Sequence, residues 1–142
     1  VLLNRCVSPQ GETYYALPGG GQHALETLEE TLVREVREET GYRVQVGRLA
    51  AVAEEIEDNP ALREAYPDFA HRVLCIFIAH VTGEEENVQR EADWEQLDSV
   101  WVLAEQADTL PLRPAHLVGR VSELLEGGTA KYAGCVRQYS PN

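Results

Sequence analysis

The sequence predicts an α/β fold, because strand-like apolar runs alternate with segments of helical spacing. Three observations carry that prediction: two β-rich runs open the chain, a capped amphipathic stretch covers 27–40, and the run VLCIFIAHV occupies 73–81. At 142 residues the chain fits one domain, taken as 1–142, and no repeat or low-complexity segment suggests a second.

Val1 to Cys6 is apolar and reads as a strand, so a short segment ahead of Val1 is expected. Pro9, Gln10 and Gly11 make a turn, and Thr13 to Leu17 reads as the second strand. Pro18 to Gly21 then breaks regular structure. Thr27 with Glu30 three residues on forms a capping box, and Gly41 sits where a helix ending at Thr40 favours glycine. Tyr42 to Ala53 alternates partly and reads as a longer strand. Glu57 to Phe69, with Pro60 and Pro67, reads as a loop. The run from Arg72 to Val81 has the continuous apolar character of a strand buried on both faces. Thr82 to Asp98 reads as an acidic loop, and Val100 to Leu103 as a short strand. Pro114 opens a helical spacing of Leu117, Val121, Leu124 and Leu125 that ends at Gly127 and Gly128. The tail beyond has no clear pattern.

Acidic residues outnumber basic ones 24 to 12, for a formal charge of −12. A protein that grips a nucleic-acid polymer needs a cationic surface, so that class is excluded as the main work. A small anionic substrate is still compatible, because carboxylates around a divalent cation bind phosphate through the metal. No apolar run approaches the eighteen or so residues of a membrane span, and no charged-then-apolar leader opens the sequence, so no membrane role is expected. Cys6, Cys75 and Cys135 are odd in number and widely spaced. Cys6 and Cys75 lie in apolar runs and are expected to be small buried hydrophobes in a reducing, cytoplasmic compartment.

The chemistry concentrates in GGQHALETLEETLVREVREETGY, residues 20–42. Glu35, Glu38 and Glu39 are spaced i, i+3 and i+4, within an arc of roughly 100° on one side of the helix. Leu28, Leu32, Val33 and Val36 fill the adjoining arc, expected to face the core, which makes Glu39 the least solvated of the three. Three like charges at this spacing disfavour the helix unless something offsets them. A hard cation, magnesium above all, does so. Arg34 and Arg37 interleave with the acids, and the alternative is a solvated charged face.

Gly20, five residues, Glu26, seven residues, and then Arg34-Glu35-Val36-x-Glu38-Glu39-x-Gly41 reproduce the Nudix box, GX5EX7REUXEEXGU with U apolar. The specified positions match through Gly41, and Tyr42 is aromatic where an aliphatic is usual. At average residue frequencies a chance match is on the order of one in 10⁹ per window. The chain therefore resembles the Nudix hydrolase family, and Leu17-Pro18-Gly19-Gly20 resembles the family's approach to the box.

That resemblance implies a three-layer α/β/α sandwich with a mixed β-sheet. It also implies magnesium-dependent hydrolysis of a diphosphate bond in a nucleoside diphosphate linked to another moiety, with manganese as a substitute ion. Glu35, Glu38 and Glu39 are the implied metal ligands, with Glu26 behind them or linked through water. Arg34 is implied to orient one of those carboxylates, and the Gly19, Gly20 and Gly21 backbone to approach metal and phosphates. The base is implied to be Glu39 or a later-loop acid, for which Glu95, six residues before Trp101, is preferred over Glu91, Asp93 and the acidic turn Glu84–Glu86. Tyr66 and Phe69 are expected either to stack on a base or to pack their loop. His23, His71, His80 and His116 show no metal spacing. Rival readings are a nucleotide-sensing domain without turnover, and a prenyl diphosphate isomerase that would need a pocket cysteine. A homodimer is a family expectation.

Overall fold

The computed structural model describes residues 1–85 and 95–140. In chain order its strands and α-helices are β1 (Leu2–Val7), β2 (Thr13–Ala16), α1 (Leu28–Thr40), β3 (Tyr42–Glu57), α2 (Pro60–Ala65), β4 (His71–Glu84), β5 (Gln96–Trp101), α3 (Ala104–Ala107), β6 (Leu112–Arg113), α4 (Val121–Glu126) and β7 (Lys131–Gln138). The class is α/β, as expected. Its strands form two mixed sheets, one in the order β5-β1-β2-β6 and one in the order β4-β3-β7.

Alternation along β1 divides the first sheet into an apolar and a polar face. Leu3 is fully buried and pairs with Val100, while Tyr15 on β2 pairs with Leu112. These residues join Leu117, Val121 and Leu124 in the core, which Ala51 of β3 enters from the second sheet. The opposite face carries Asn4, opposite Ala16 on one side and Ser99 on the other, and then Cys6 opposite Tyr14. Helix α1 lies over that face. It packs along β3 and also touches β5, and so joins the two sheets.

Several expectations are corrected. The polar stretch after Glu57 is not a plain loop: Asn59 accepts from the Ala61 amide and caps α2, and a 3-10 turn follows at Pro67–Phe69. Pro60, taken as a breaker, fits the first helical turn because its missing N–H is unneeded there. Strand β4 is not buried on both faces. Among the described residues it pairs only with β3, so it is an edge strand, with Val73 62% exposed. A continuous apolar run does not reveal whether another layer covers the faces of the strand, and no β4 residue is buried. Cys75 is exposed for the same reason, and only Cys6 of the expected pair is buried.

The acidic loop shrinks from both ends, because β4 runs on to Glu84 and β5 already starts at Gln96. The helix expected from Pro114 is broken into a 3-10 turn, Ala115–Leu117, and α4, with Gly119 in the left-handed region (φ 71°) between them. Within α1, Leu28 and Val33 are exposed, and the buried face is Thr31, Val36, Glu39 and Thr40. The patternless tail forms β7, parallel to β3. Among the described residues, no helix is long and apolar enough to cross a membrane.

Candidate active site

Local chemistry fixes both ends of the helix that carries the box acids. Thr27 Oγ1 accepts from the Glu30 amide at 3.2 Å, and Glu30 Oε2 accepts from the Thr27 amide at 2.7 Å. Gly41 takes a left-handed conformation (φ 78°) and its amide closes on the Arg37 carbonyl. This turn starts β3 directly after the helix.

One guanidinium organises the acids. Arg34 Nε donates to Glu26 Oε1 at 2.8 Å and Nη2 to Glu26 Oε2 at 3.0 Å. Its Nη1 donates to Glu35 Oε1 at 2.7 Å and to Glu38 Oε2 at 3.1 Å, and Nη2 also reaches the Gly21 carbonyl at 3.0 Å. Arg34 thus holds three carboxylates rather than the one expected. Glu26 accepts further from Thr31 Oγ1 and the His23 amide. The bonds from Arg34, and then that amide, hold the Glu26 carboxyl down at about 2. The guanidinium is pushed up by its carboxylate partners, Glu26 foremost.

Glu39 turns the other way. It is 6% exposed, against 16% and 26% for the side chains of Glu35 and Glu38, so it is the least solvated of the three, as its helical angle predicts. Its Oε2 accepts from Asn4 Nδ2 at 2.8 Å and from the Gly19 amide at 3.0 Å. Asn4 Oδ1 in turn accepts from Ser99 Oγ and Gln96 Nε2, and that Gln96 nitrogen also meets the Glu39 carbonyl. Glu39 is therefore anchored to the polar face of the first sheet. Glu35, Glu38 and Glu26 converge on Arg34 instead.

The glycine approach is shaped by close contact. A Cβ on Gly20 would lie 2.5 Å from Glu35 Oε1, so the loop packs flush on that carboxylate. Gly19 has φ 149°, a conformation L side chains rarely adopt, and spends its amide on Glu39.

Glu95 lies in the turn just ahead of β5, where its carboxylate accepts the Tyr14 hydroxyl. Burial, and then that bond, push the Tyr14 hydroxyl above its ordinary range. Arg113 sits 3.7 Å over the Tyr14 ring. Asn4, Tyr14 and Arg113 escaped the sequence reading, and only Asn4 left a signal there, as a polar residue inside an apolar strand. Glu86, Glu91 and Asp93 lie outside the described residues. Glu84 ends β4, and Glu85 donates its amide to the Gly41 carbonyl.

Tyr66 and Phe69 are not brought to the box. They line a hollow of about 290 Å³ with Leu62 and Arg72, where β3 ends, whereas the box acids are near its start. A 16-residue strand spans roughly 50 Å. Both residues are more than half exposed. His116 is buried, and its two ring nitrogens make no hydrogen bond among the described residues.

Among the described residues, no three His, Cys, Asp or Glu side chains stand close enough to enclose an ion. The donor set nevertheless fits a hard cation. Glu35 and Glu38 share one Arg34 nitrogen and keep Oε2 and Oε1, respectively, without a hydrogen bond among the described residues. All-carboxylate oxygen donors suit magnesium.

Residues 1–120 match the NUDIX domain. An ADP-ribose pyrophosphatase of Methanocaldococcus jannaschii is 37% identical over 71 residues, which cover 50% of this chain and 37% of that protein. The chain thus spans little more than a third of that relative's length. The crystal structure of an ADP-ribose pyrophosphatase from Streptococcus suis is 20% identical with a TM-score of 0.59, over 92% of this chain and 87% of the other. A NUDIX hydrolase from Nitrosomonas europaea gives 18% identity and a TM-score of 0.64, over 87% and 78%. These two show the same fold, the domain match covers most of the sequence, and three of the box acids, Glu26, Glu35 and Glu38, cluster around Arg34: the chain belongs to the NUDIX domain family.

Proposed function

We propose that this protein is a magnesium-dependent pyrophosphohydrolase that cleaves the diphosphate of a nucleoside diphosphate joined to another group. ADP-ribose is the first substrate to test, because the Methanocaldococcus relative carries that activity in its name. The observation that carries the reading is the Arg34 cluster, where Glu26, Glu35 and Glu38 are gathered against a glycine loop with carboxylate oxygens to spare.

Glu35 and Glu38 would hold the ion, or manganese in its place, with Glu39 on the sheet side and Glu26 fixing Arg34. When bound, magnesium supplies the positive charge that polarises phosphoryl oxygens and offsets the charge on the leaving phosphate. Water attacks phosphorus, the bridging P–O bond breaks, and its electron pair leaves with the departing phosphate. Glu39 or Glu95 accepts the water's proton. Each is held by a neutral donor, Glu39 by Asn4 and Glu95 by Tyr14. Arg34 keeps Glu35 and Glu38 side by side and touches no reacting atom.

The test is a phosphate-release screen over ADP-ribose, nucleotide sugars, dinucleotides and nucleoside triphosphates, with and without magnesium. Magnesium-dependent turnover is expected, and Glu38→Gln should lower kcat by about 100-fold with an unchanged far-UV spectrum. A folded protein that binds nucleotide and turns over none of the set is instead a sensing domain. Comparing Glu39→Gln and Glu95→Gln across pH assigns the base, by which variant loses the acid limb of kcat. Dimerisation and a cytoplasmic location belong to the same proposal, and light scattering on the purified protein reads the first.

A further inference from the structure

The polar face of the first sheet carries a cation that hydrolysis, as derived above, leaves unused. Arg113 pairs with Ala16, and Ala16 pairs with Asn4, so the three side chains share one face. Asn4 is the residue that holds Glu39. Arg113 lies two strands away, about 10 Å at ordinary strand spacing. Ala16 also leads, through Leu17 and Pro18, into the glycine loop that packs on Glu35.

Arg113 shares the lack of an ion pair among the described residues with Arg37, Arg43 and Arg48, but it alone of these four lies over an aromatic ring among those residues. Arg5, Arg63, Arg72 and Arg137 each pair with a carboxylate, in a chain of formal charge −12. Arg113 makes no ion pair among the described residues and is fixed by stacking on Tyr14. Tyr14 is fixed in turn by its hydroxyl bond to Glu95. Stacking uses the face of a guanidinium and leaves its edge N–H donors free for a planar or tetrahedral oxyanion. An edge-on arginine beside an acidic metal site is the chemistry a diphosphate requires on its far side.

We propose that Arg113 binds the substrate phosphate lying farther from Glu35 and Glu38, with Tyr14 as the positioning residue that holds the guanidinium in place. This rests on the pyrophosphohydrolase reading, and it assigns Arg113 to ground-state binding of the diphosphate. Its loss therefore affects affinity before rate.

The experiment compares wild type with Arg113→Gln, Arg113→Lys and Tyr14→Phe. Calorimetry with ADP and ADP-ribose, and with adenosine as the phosphate-free control, gives Kd, and steady-state kinetics give KM and kcat separately. Arg113→Gln should weaken both phosphorylated ligands about tenfold or more and raise KM to match. Its kcat should stay within about threefold and adenosine binding should not change. Arg113→Lys should recover part of the loss, since it keeps the charge without the planar stack. Tyr14→Phe should fall between wild type and Arg113→Gln. Arg113→Gln with Kd and KM within twofold of wild type overturns the assignment. A wild type that binds ADP-ribose without hydrolysing any diphosphate refutes the hydrolase reading alone, and the Kd comparison still decides the role of Arg113. A wild type that binds neither ADP nor ADP-ribose and turns over no member of the substrate screen overturns both.

Discussion

Gly20→Ala isolates the packing of the glycine loop on the box acids. The added Cβ would stand 2.5 Å from Glu35 Oε1, 2.6 Å from its Cδ and 2.7 Å from Oε2. Ordinary contacts begin near 3.4 Å. The carboxylate must therefore retreat by about 1 Å, a shift that a flexible side chain makes easily but a catalytic one does not make freely. Oε1 is also the atom bonded to Arg34 Nη1 at 2.7 Å, so the retreat stretches that bond and pulls Glu35 away from Glu38. Gly20 is not among the positive-φ glycines, so its backbone admits alanine. The fold should lose less than about 1 kcal/mol, because the collision is with the far end of a side chain. A displacement of this size in a catalytic group costs on the order of 100-fold in rate. The assay is kcat at saturating magnesium, with a magnesium titration and a thermal melt on the same samples. Turnover and magnesium response within twofold of wild type would refute the claim that the loop sets the position of Glu35.

Two further predictions concern stability. Asn4→Ala removes a buried donor from the Glu39 carboxylate and takes the acceptor from the Ser99 hydroxyl, while Gln96 keeps the Glu39 carbonyl, so it should cost about 2 kcal/mol and lower Tm by several degrees in a thermal melt. An unchanged Tm would mean that Glu39 does not depend on the sheet. The Glu30 carboxyl is held below its ordinary 4.5, first by the Thr27 amide and then by its hydroxyl. A depressed carboxyl stabilises the fold above its unfolded value and loses that contribution as pH falls below it. Melting curves from pH 6 to 3 should therefore decline less steeply for Glu30→Gln than for wild type, and parallel curves would contradict the assignment.

The box helix was readable because its signals are local. Thr27, Glu30 and Gly41 mark its ends within one turn each, and the spacing of Glu35, Glu38 and Glu39 fixes their relative angles. What was hidden depends on distant partners. That Glu39 and Glu35 point to different neighbours follows from Asn4, 35 residues away, and from Arg34's choice of three acids. The Tyr14 and Arg113 stack depends on a parallel pairing between β2 and the two-residue β6, too short to leave a pattern. The apolar run in β4 was read as buried because hydrophobicity records composition and not what packs over the two faces of the strand. Proline at 60 and 114 was ambiguous in the same way. The first opens α2, while the second precedes a turn that Gly119 ends before α4 begins.

Helix α1 is fastened to β1 through Glu39 and Asn4, and it runs along β3, so it works as a strut between two separately hydrogen-bonded sheets. Its acids are therefore tuned by how the sheets dock as much as by the helix itself. A small slip of one sheet against the other would draw Asn4 away from Glu39 without breaking a single strand pairing. The protein can thus fall silent while its secondary structure is still intact, and turnover becomes a more sensitive gauge of sheet docking than any spectroscopic measure of strand content.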